Sequence, residues 1–345
     1  MSFNSITLRD IAQMMKVDTS TVSRALSNSQ RVRPDLKARI QKKAHELKYI
    51  PNASALSLRT SINNSIALAL PQLDFMGGDF YANVYHGLTE ELNKEHFSLT
   101  VCDVYGDNAS FDRTVRQRRV DGVIIFGDSF TDKDITHFNN INLPICMLHT
   151  SIKSNHKNIV NIKTDNYSSM YKLTEHLLQK HNCNDFLYFS GGTRYLSDRE
   201  RLVSVKDCLA ANNKKLTVME GDFSDSLRCG YDLFKKAVKD KVIFDALISA
   251  SDDFAIGVMS AAEEMGKKIP EDFRLTGFDN ISFAPYLGTS LTSVDPGAGI
   301  IGRKGAESII NWIKNKKMPA KKNITVPARI YYRRSCGCVD TEEKV

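Results

Sequence analysis

The stretch Thr7-Leu-Arg-Asp-Ile-Ala-Gln-Met-Met-Lys-Val-Asp18-Thr-Ser-Thr-Val-Ser-Arg-Ala-Leu26 reads as two short helices around a tight turn. Thr7 is placed to cap a first helix with Leu8, Ile11, Ala12 and Met15 on its apolar side, and Asp18 to cap a second with Val22, Ala25 and Leu26 turned inward. That leaves Thr19, Ser20 and Arg24 on the outer face of the second helix. Hydroxyls and a guanidinium at the start of such a helix suit base edges and phosphates in a major groove.

Charge supports the same reading. Residues 1–59 hold eleven Lys and Arg against four acids, a net of +7, which is also the net charge of all 345 residues. The other residues therefore balance, and the excess lies in the segment that would meet a phosphate backbone. A third helix is expected from Pro34, with Leu36, Ile40, Ala44 and Leu47 facing inward. Pro51 ends this head, and Asn52 is placed to cap a short segment, Ala53–Leu58, too short to hold as a helix without DNA or a partner chain.

From Ser65 the pattern changes to apolar strands alternating with amphipathic helices. Strands are expected at Ile66–Pro71, Ser98–Asp103, Gly122–Phe126 and Pro144–Leu148, then at Asp185–Ser190, Leu216–Met219, Ala246–Ser249 and Arg274–Phe278. Helices such as Phe80–Glu95 and Tyr167–Lys180 lie between them. Near-continuous apolar strands of this kind indicate parallel sheets covered on both faces, here two doubly wound lobes with a cleft at the carboxyl ends of the strands. The fold class is thus α/β: an all-α helix-turn-helix head and a two-lobed core.

These residues resemble the LacI/GalR family of transcription regulators over essentially the whole chain. The resemblance rests on Thr7–Ala12, Val17, Thr21–Leu26, Arg31-Val32, Tyr49–Asn52, Val120–Val123, Ile269–Asp272, Gly277–Asn280 and Arg334–Cys336. It implies a head at 1–50, a hinge helix and linker at 51–64, a periplasmic-binding-protein-like core at 65–338 and a tail at 339–345. Within the core, the N-lobe is expected at 65–162 and 293–322, and the C-lobe at 163–292 and 323–338.

Carried over residue by residue, the resemblance implies major-groove contacts from Thr19, Ser20 and Arg24. Thr7, Thr21, Ser23 and Tyr49 match phosphate-contact positions, which set register and do not specify sequence. Asp18 and Asn52 belong to the same surface as caps. Leu58 matches a hinge leucine that wedges into the minor groove, while Leu56 stands where relatives often carry Arg. In the cleft, Arg201 and Asp279 match residues that grip ligand polar groups, Ser251 and Asp252 resemble polar contacts of their loop, and Tyr81 and Phe223 match covering aromatics. His149 follows its strand where relatives commonly have Asp. The implied effector is a small sugar, with a nucleobase or nucleoside as the alternative; the implied partners are operator DNA and a second copy of the chain.

Other readings are weaker. A sugar-binding protein without gene regulation leaves the helix-turn-helix unexplained, and a ligand-free architectural protein leaves Arg201 and Asp279 unexplained. Gly297-Ala-Gly-Ile-Ile-Gly302 has the spacing of a dinucleotide fingerprint but lacks the preceding strand context and the later acid, and is expected to start a helix that packs closely. No motif of hydrolytic or phosphoryl-transfer catalysis is present, so neither enzymatic activity nor a cofactor is expected. Seven scattered cysteines form no disulfide framework. Cys336-Gly-Cys338, and His181 two before Cys183, lack the paired ligand clusters of a structural zinc, so no metal is expected. With no apolar segment of membrane-spanning length or signal-peptide form, a cytoplasmic location without membrane association is expected.

Overall fold

The computed structural model describes residues 6–49, 62–71, 78–106, 109–150, 158–192 and 194–344. It divides into two compact units, Met1–Asn64 and Ser65–Val345. The expected hinge, with Asn52, Leu56 and Leu58, lies outside the described residues.

In the first unit, α1 spans Leu8–Met15, α2 Thr19–Leu26 and α3 Pro34–Glu46. The Thr7 hydroxyl accepts from the Asp10 backbone N–H, and Asp10 Oδ2 accepts from the Thr7 N–H at 2.8 Å, a reciprocal cap that fixes the start of α1. Lys16 ends the helix with φ 52°, and Asp18 Oδ1 accepts from the Ser20 N–H at 2.7 Å to start α2. Ile11, Ala12, Val22, Ala25, Val32, Ile40 and Ala44 fill the core between the three helices. Leu8, Met15, Leu26, Leu36 and Leu47 pack around it. The inward faces follow the helical spacing of the sequence.

The second unit begins with β1 (Ser65–Leu70), α4 (Asp79–Lys94), β2 (Ser98–Asp103), α5 (Phe111–Arg116), β3 (Gly122–Phe126), α6 (Asp132–Asn139), β4 (Ile145–Leu148) and β5 (Ile159–Thr164). It continues with α7 (Asn166–His181), β6 (Asp185–Ser190), α8 (Leu196–Ala211), β7 (Lys215–Glu220), α9 (Ser226–Lys239), β8 (Ala246–Ser249), α10 (Asp252–Glu264), β9 (Arg274–Phe278) and β10 (Thr292–Asp295). Last come α11 (Ala298–Asn315), β11 (Asn323–Val326), β12 (Arg329–Tyr332) and β13 (Thr341–Lys344).

The first sheet has the order β11-β5-β4-β3-β1-β2 and is parallel throughout. Alternation along β1 sends Ile66, Leu68 and Leu70 into one apolar cluster and Ala67 and Ala69 into another, so helices cover both faces. The second sheet has the order β13-β12-β10-β9-β8-β6-β7. It is mixed, not wholly parallel as expected, because β12 runs antiparallel to both β10 and β13.

The lobe boundaries also differ from those expected. β11, assigned to the C-lobe by sequence, pairs in parallel with β5 in the N-lobe sheet. Conversely, β10 pairs with β9 in the C-lobe sheet, and the return to the N-lobe begins only with α11, which packs on α4 and the strands. The chain therefore crosses between lobes near 165, 296 and 327. These crossings lie together: the Thr164 hydroxyl donates to Pro296 O at 2.9 Å, and the Asp165 N–H to Val326 O at 2.9 Å. The segment expected as a tail supplies β13, an edge strand, because its backbone completes the ladder along β12.

The glycine repeat at 297–302 begins α11. A Cβ on Gly302 would stand 2.1 Å from Val84 O, and one on Gly87 would stand 2.2 Å from Gly299 O. Small residues here let α11 and α4 approach to backbone contact, and dinucleotide binding is not their role. Among the described residues, no helix is long and apolar enough to cross a membrane.

Candidate functional site: an interlobe cleft and a DNA-facing head

On α2, Thr19, Ser20 and Arg24 are exposed, as are Thr7 and Asp18, while Thr21, Ser23 and Tyr49 are half-buried. Ser20 and Arg24 stand one turn apart on the same face, Ser20 at the start of α2, where backbone N–H groups point outward, and Arg24 in its last turn. Thr7 and Asp18 hold the starts of α1 and α2, so they act on any DNA contact by fixing the helices that carry it. The structure keeps eight of the ten expected DNA residues in one small unit; Asn52 and Leu58 lie outside the described residues.

In the second unit a cavity of about 570 Å³ lies between the lobes, at the carboxyl ends of the parallel strands. Tyr81 opens α4 after β1, His149 follows β4, Ser251 follows β8 and Asp279 follows β9; all four line the cavity, with Arg201 of α8 and Phe223 beyond β7. The seventh expected residue does not. Asp252 is fully buried behind the wall, where Oδ1 accepts from Ser293 Oγ at 2.6 Å and Oδ2 from the Ile281 N–H at 2.9 Å. It braces the loop that presents Asp279, and its neighbour Asp253 lines the cavity instead. At a helix start successive side chains diverge by about 100°, which linear sequence does not resolve into wall and lining.

Arg201 is only 4% exposed and is held on three sides. Its Nη1 donates to Ala250 O at 2.6 Å, its Nε to Asn166 Oδ1 at 3.3 Å, and its guanidinium carbon sits 3.6 Å from the Phe278 ring centroid. Burial raises the Asp279 carboxyl to about 7, Arg201 opposing the rise and Asp253 adding to it. His149 is pushed down to about 3, chiefly by burial and further by Arg201, so its imidazole is neutral at pH 7. Phe80 packs 4.4 Å from its ring, and His149 Nδ1 is buried with no hydrogen-bond partner among the described residues. Both His149 (φ 66°) and Asp279 (φ 108°) hold left-handed backbone, a strain that concentrates at ligand sites.

Asp128, Asp79, Asp253, Tyr195 and Ser197 also line the cavity and were not anticipated. Asp128 follows β3 just as His149 follows β4, so its position after a strand was the available signal. Asp128 Oδ2 accepts from the Ser197 N–H at 2.7 Å and from the Ser197 hydroxyl, bridging the lobes. Its Oδ1 is buried without a partner among the described residues, and burial lifts the carboxyl to about 7 against the opposing Ser197 bonds. A second bridge runs from the Ser282 N–H to Asp79 Oδ2 at 2.7 Å. Phe223 lies across Gly191, where a Cβ would meet its ring at 2.0 Å, and packs edge-on to Tyr195. The cavity thus joins fixed donors and acceptors to aromatic walls.

Away from the cleft, His181 is not paired with Cys183 as the sequence spacing suggested. Its Nε2 lies 3.3 Å from Cys338 Sγ, and His176, which the sequence did not single out, joins them with Cys336. The two separate hints of the sequence, Cys336-Gly-Cys338 and His181, thus fall in one cluster, with His176 added.

Comparison with known proteins agrees with this architecture. Residues 7–52 match the model of bacterial regulatory proteins of the lacI family, and residues 174–336 match that of a periplasmic binding protein-like domain, together more than half of the chain. Catabolite control protein A of Staphylococcus xylosus is 25% identical over 337 residues, covering 95% of this chain and 98% of the relative. Among solved structures, the lac repressor dimer bound to operator and the anti-inducer ONPF superposes with a TM-score of 0.84 at 20% identity, covering 96% of this chain and 99% of that one. The regulator CelR in complex with cellobiose gives 0.71 at 20% identity, covering 96% and 99%. With a capped helix-turn-helix and a two-lobed binding core in one polypeptide, the chain belongs to the lacI family of bacterial regulatory proteins.

Proposed function

We infer that this protein is a DNA-binding transcription regulator that acts as a dimer on operator DNA and answers to a small sugar in the interlobe cleft. The observation that carries the reading is the exposure of Thr19, Ser20 and Arg24 along one capped helix, in a segment that holds the chain's whole net positive charge. Thr19, Ser20 and Arg24 would read bases, while Thr21, Ser23 and Tyr49 would meet phosphate. The lac repressor structure, a dimer on its operator, supports the same mode of assembly.

The cleft suits a polyol. Arg201 supplies fixed donors, Asp128 and Asp279 supply acceptors, and neutral His149 can do either, while Tyr81 and Phe223 give flat apolar cover. The volume falls within the roughly 300–1,000 Å³ of small-molecule sites. CelR with cellobiose supports sugar as the class, and the lac repressor structure supports repression as the role. Because Asp128 with Ser197 and Asp79 with Ser282 bridge the lobes beside the cavity, an occupant touching both lobes would reset their closure. A coupling of ~1–3 kcal/mol between cleft and head would change operator affinity by ~5- to 150-fold.

The test is fluorescence anisotropy of the full-length protein on DNA upstream of its own gene, with and without mono- and disaccharides and with nucleosides. A sugar is expected to change affinity for this DNA and not for random duplex. Equal affinity for both DNAs under every condition would defeat the reading, and a response to nucleosides alone would replace the effector class.

A further inference from the structure

The C-lobe holds a second group of chemically matched side chains, none of which lines the cleft. His176 and His181 lie in the last turns of α7, and Cys336 and Cys338 in the turn after β12. His176 Nε2 and His181 Nε2 are 3.2 Å apart. Cys338 Sγ is 3.4 Å from the first and 3.3 Å from the second, and Cys336 Sγ is 3.9 Å from His176 Nε2. All four ligand atoms lie within 4.8 Å of one another. A tetrahedral zinc with bonds of about 2.3 Å to sulfur and 2.0–2.1 Å to nitrogen sets edges of about 3.3 Å between nitrogens and about 3.6 Å between nitrogen and sulfur. The four recorded separations follow those edges.

We propose that His176, His181, Cys336 and Cys338 form a structural zinc site that fastens the end of α7 to the last segment of the chain.

The backbone is arranged for this convergence. Residues five apart on a regular helix point about 140° away from each other. His176 and His181 meet because His181 is the final residue of α7, where Asn182 turns the chain with φ 54°. Between the cysteines, Gly337 holds φ 94°, a conformation that brings both thiols to one side, and a Cβ there would stand 3.5 Å from the His181 ring. The His176 ring is stacked on Tyr332 at 4.0 Å, which fixes the direction of its Nε2. Such outer contacts orient ligands before metal arrives. Two thiolates and two imidazoles would neutralise a divalent ion, and the Cys2His2 set selects zinc over magnesium or calcium. Four protein ligands leave no open coordination position, so the role is to hold structure. The clasp links residues more than 150 positions apart in sequence.

The experiment uses full-length protein. Elemental analysis of protein grown with zinc should give one zinc per chain, and stripping with a chelator should lower the unfolding temperature, with recovery on adding zinc. Cobalt(II) added to stripped protein should give the intense visible bands of a tetrahedral thiolate site. Cys338→Ser and His176→Ala should lose the metal; Cys183→Ser, a nearby cysteine outside the cluster, should keep it. The proposal is overturned if stripped wild-type protein neither takes up zinc nor shows the cobalt spectrum. It is also overturned if Cys336 and Cys338 are recovered as a disulfide, or if Cys183→Ser loses metal as fully as Cys338→Ser. The wild-type titrations decide the matter even where a variant fails to fold, and none of these readouts depends on DNA or sugar.

Discussion

Replacing Arg201 with methionine isolates the role of one buried charge in effector recognition. Methionine retains much of the bulk above Phe278 while removing every donor. The bonds to Ala250 O and Asn166 Oδ1 use two of the five guanidinium N–H groups, and the edge lining the cavity offers the others. A hydrogen bond from a charged donor contributes about 1.5–3 kcal/mol, so losing one bond to a sugar hydroxyl should weaken binding by about 10- to 150-fold. The variant also leaves two buried acceptors unpaired, at about 1–3 kcal/mol each, so thermal unfolding must first establish that it is folded. Isothermal titration with the responsive sugar then reads the affinity. Since Arg201 opposes the upward shift of Asp279 and Asp128, residual binding should change its pH dependence as well. A folded variant that binds the sugar within about twofold of wild type would refute the assignment of Arg201 to the site.

Three further outcomes test the remaining parts. The Asp279 carboxyl rises to about 7 on burial, so its protonation favours the folded state below its unfolded value of 3.8, and this advantage is lost as pH rises through about 7. Denaturant titrations should therefore show wild type losing stability relative to Asp279→Asn between pH 4 and 7, by at most about 4 kcal/mol, and a difference independent of pH would contradict the shift. Arg24→Ala should weaken operator binding by about 1–3 kcal/mol and, where the contact is to phosphate, flatten the logarithmic salt dependence by about 0.9; unchanged binding by anisotropy would remove Arg24 from the interface. Gly302→Ala forces a Cβ to within 2.1 Å of Val84 O and should destabilise the core by about 1–3 kcal/mol, whereas Gly299→Ala, with its nearest neighbour at 3.8 Å, should be tolerated; equal unfolding temperatures would count against the close approach of α11 and α4.

Local chemistry was legible in the sequence where neighbours in the chain are also neighbours in space. The capping pairs at Thr7 and Asp18 join residues two or three positions apart, the inward stripe of Ile11, Val22, Ala25 and Ile40 follows helical periodicity, and the charge of the head is a matter of composition. The buried strands were visible for the same reason, since a strand covered on both faces is apolar along its length. Family resemblance then indicated Arg201 and Asp279.

What depends on contacts between distant segments was decided only in three dimensions. The partner sheet of β11 is set by where the chain crosses between lobes, and short strands such as Asn323–Val326 carry no mark of their neighbour. Asp252 and Asp253 differ only in which way a helix start turns them, so one became a brace and the other part of the cleft. Asp128 gained its role by meeting Ser197, 69 positions away. His176 is an ordinary residue in a linear reading, yet in the folded chain it meets Cys336, 160 positions away. Periodicity reports which way a side chain faces; only packing determines what it faces.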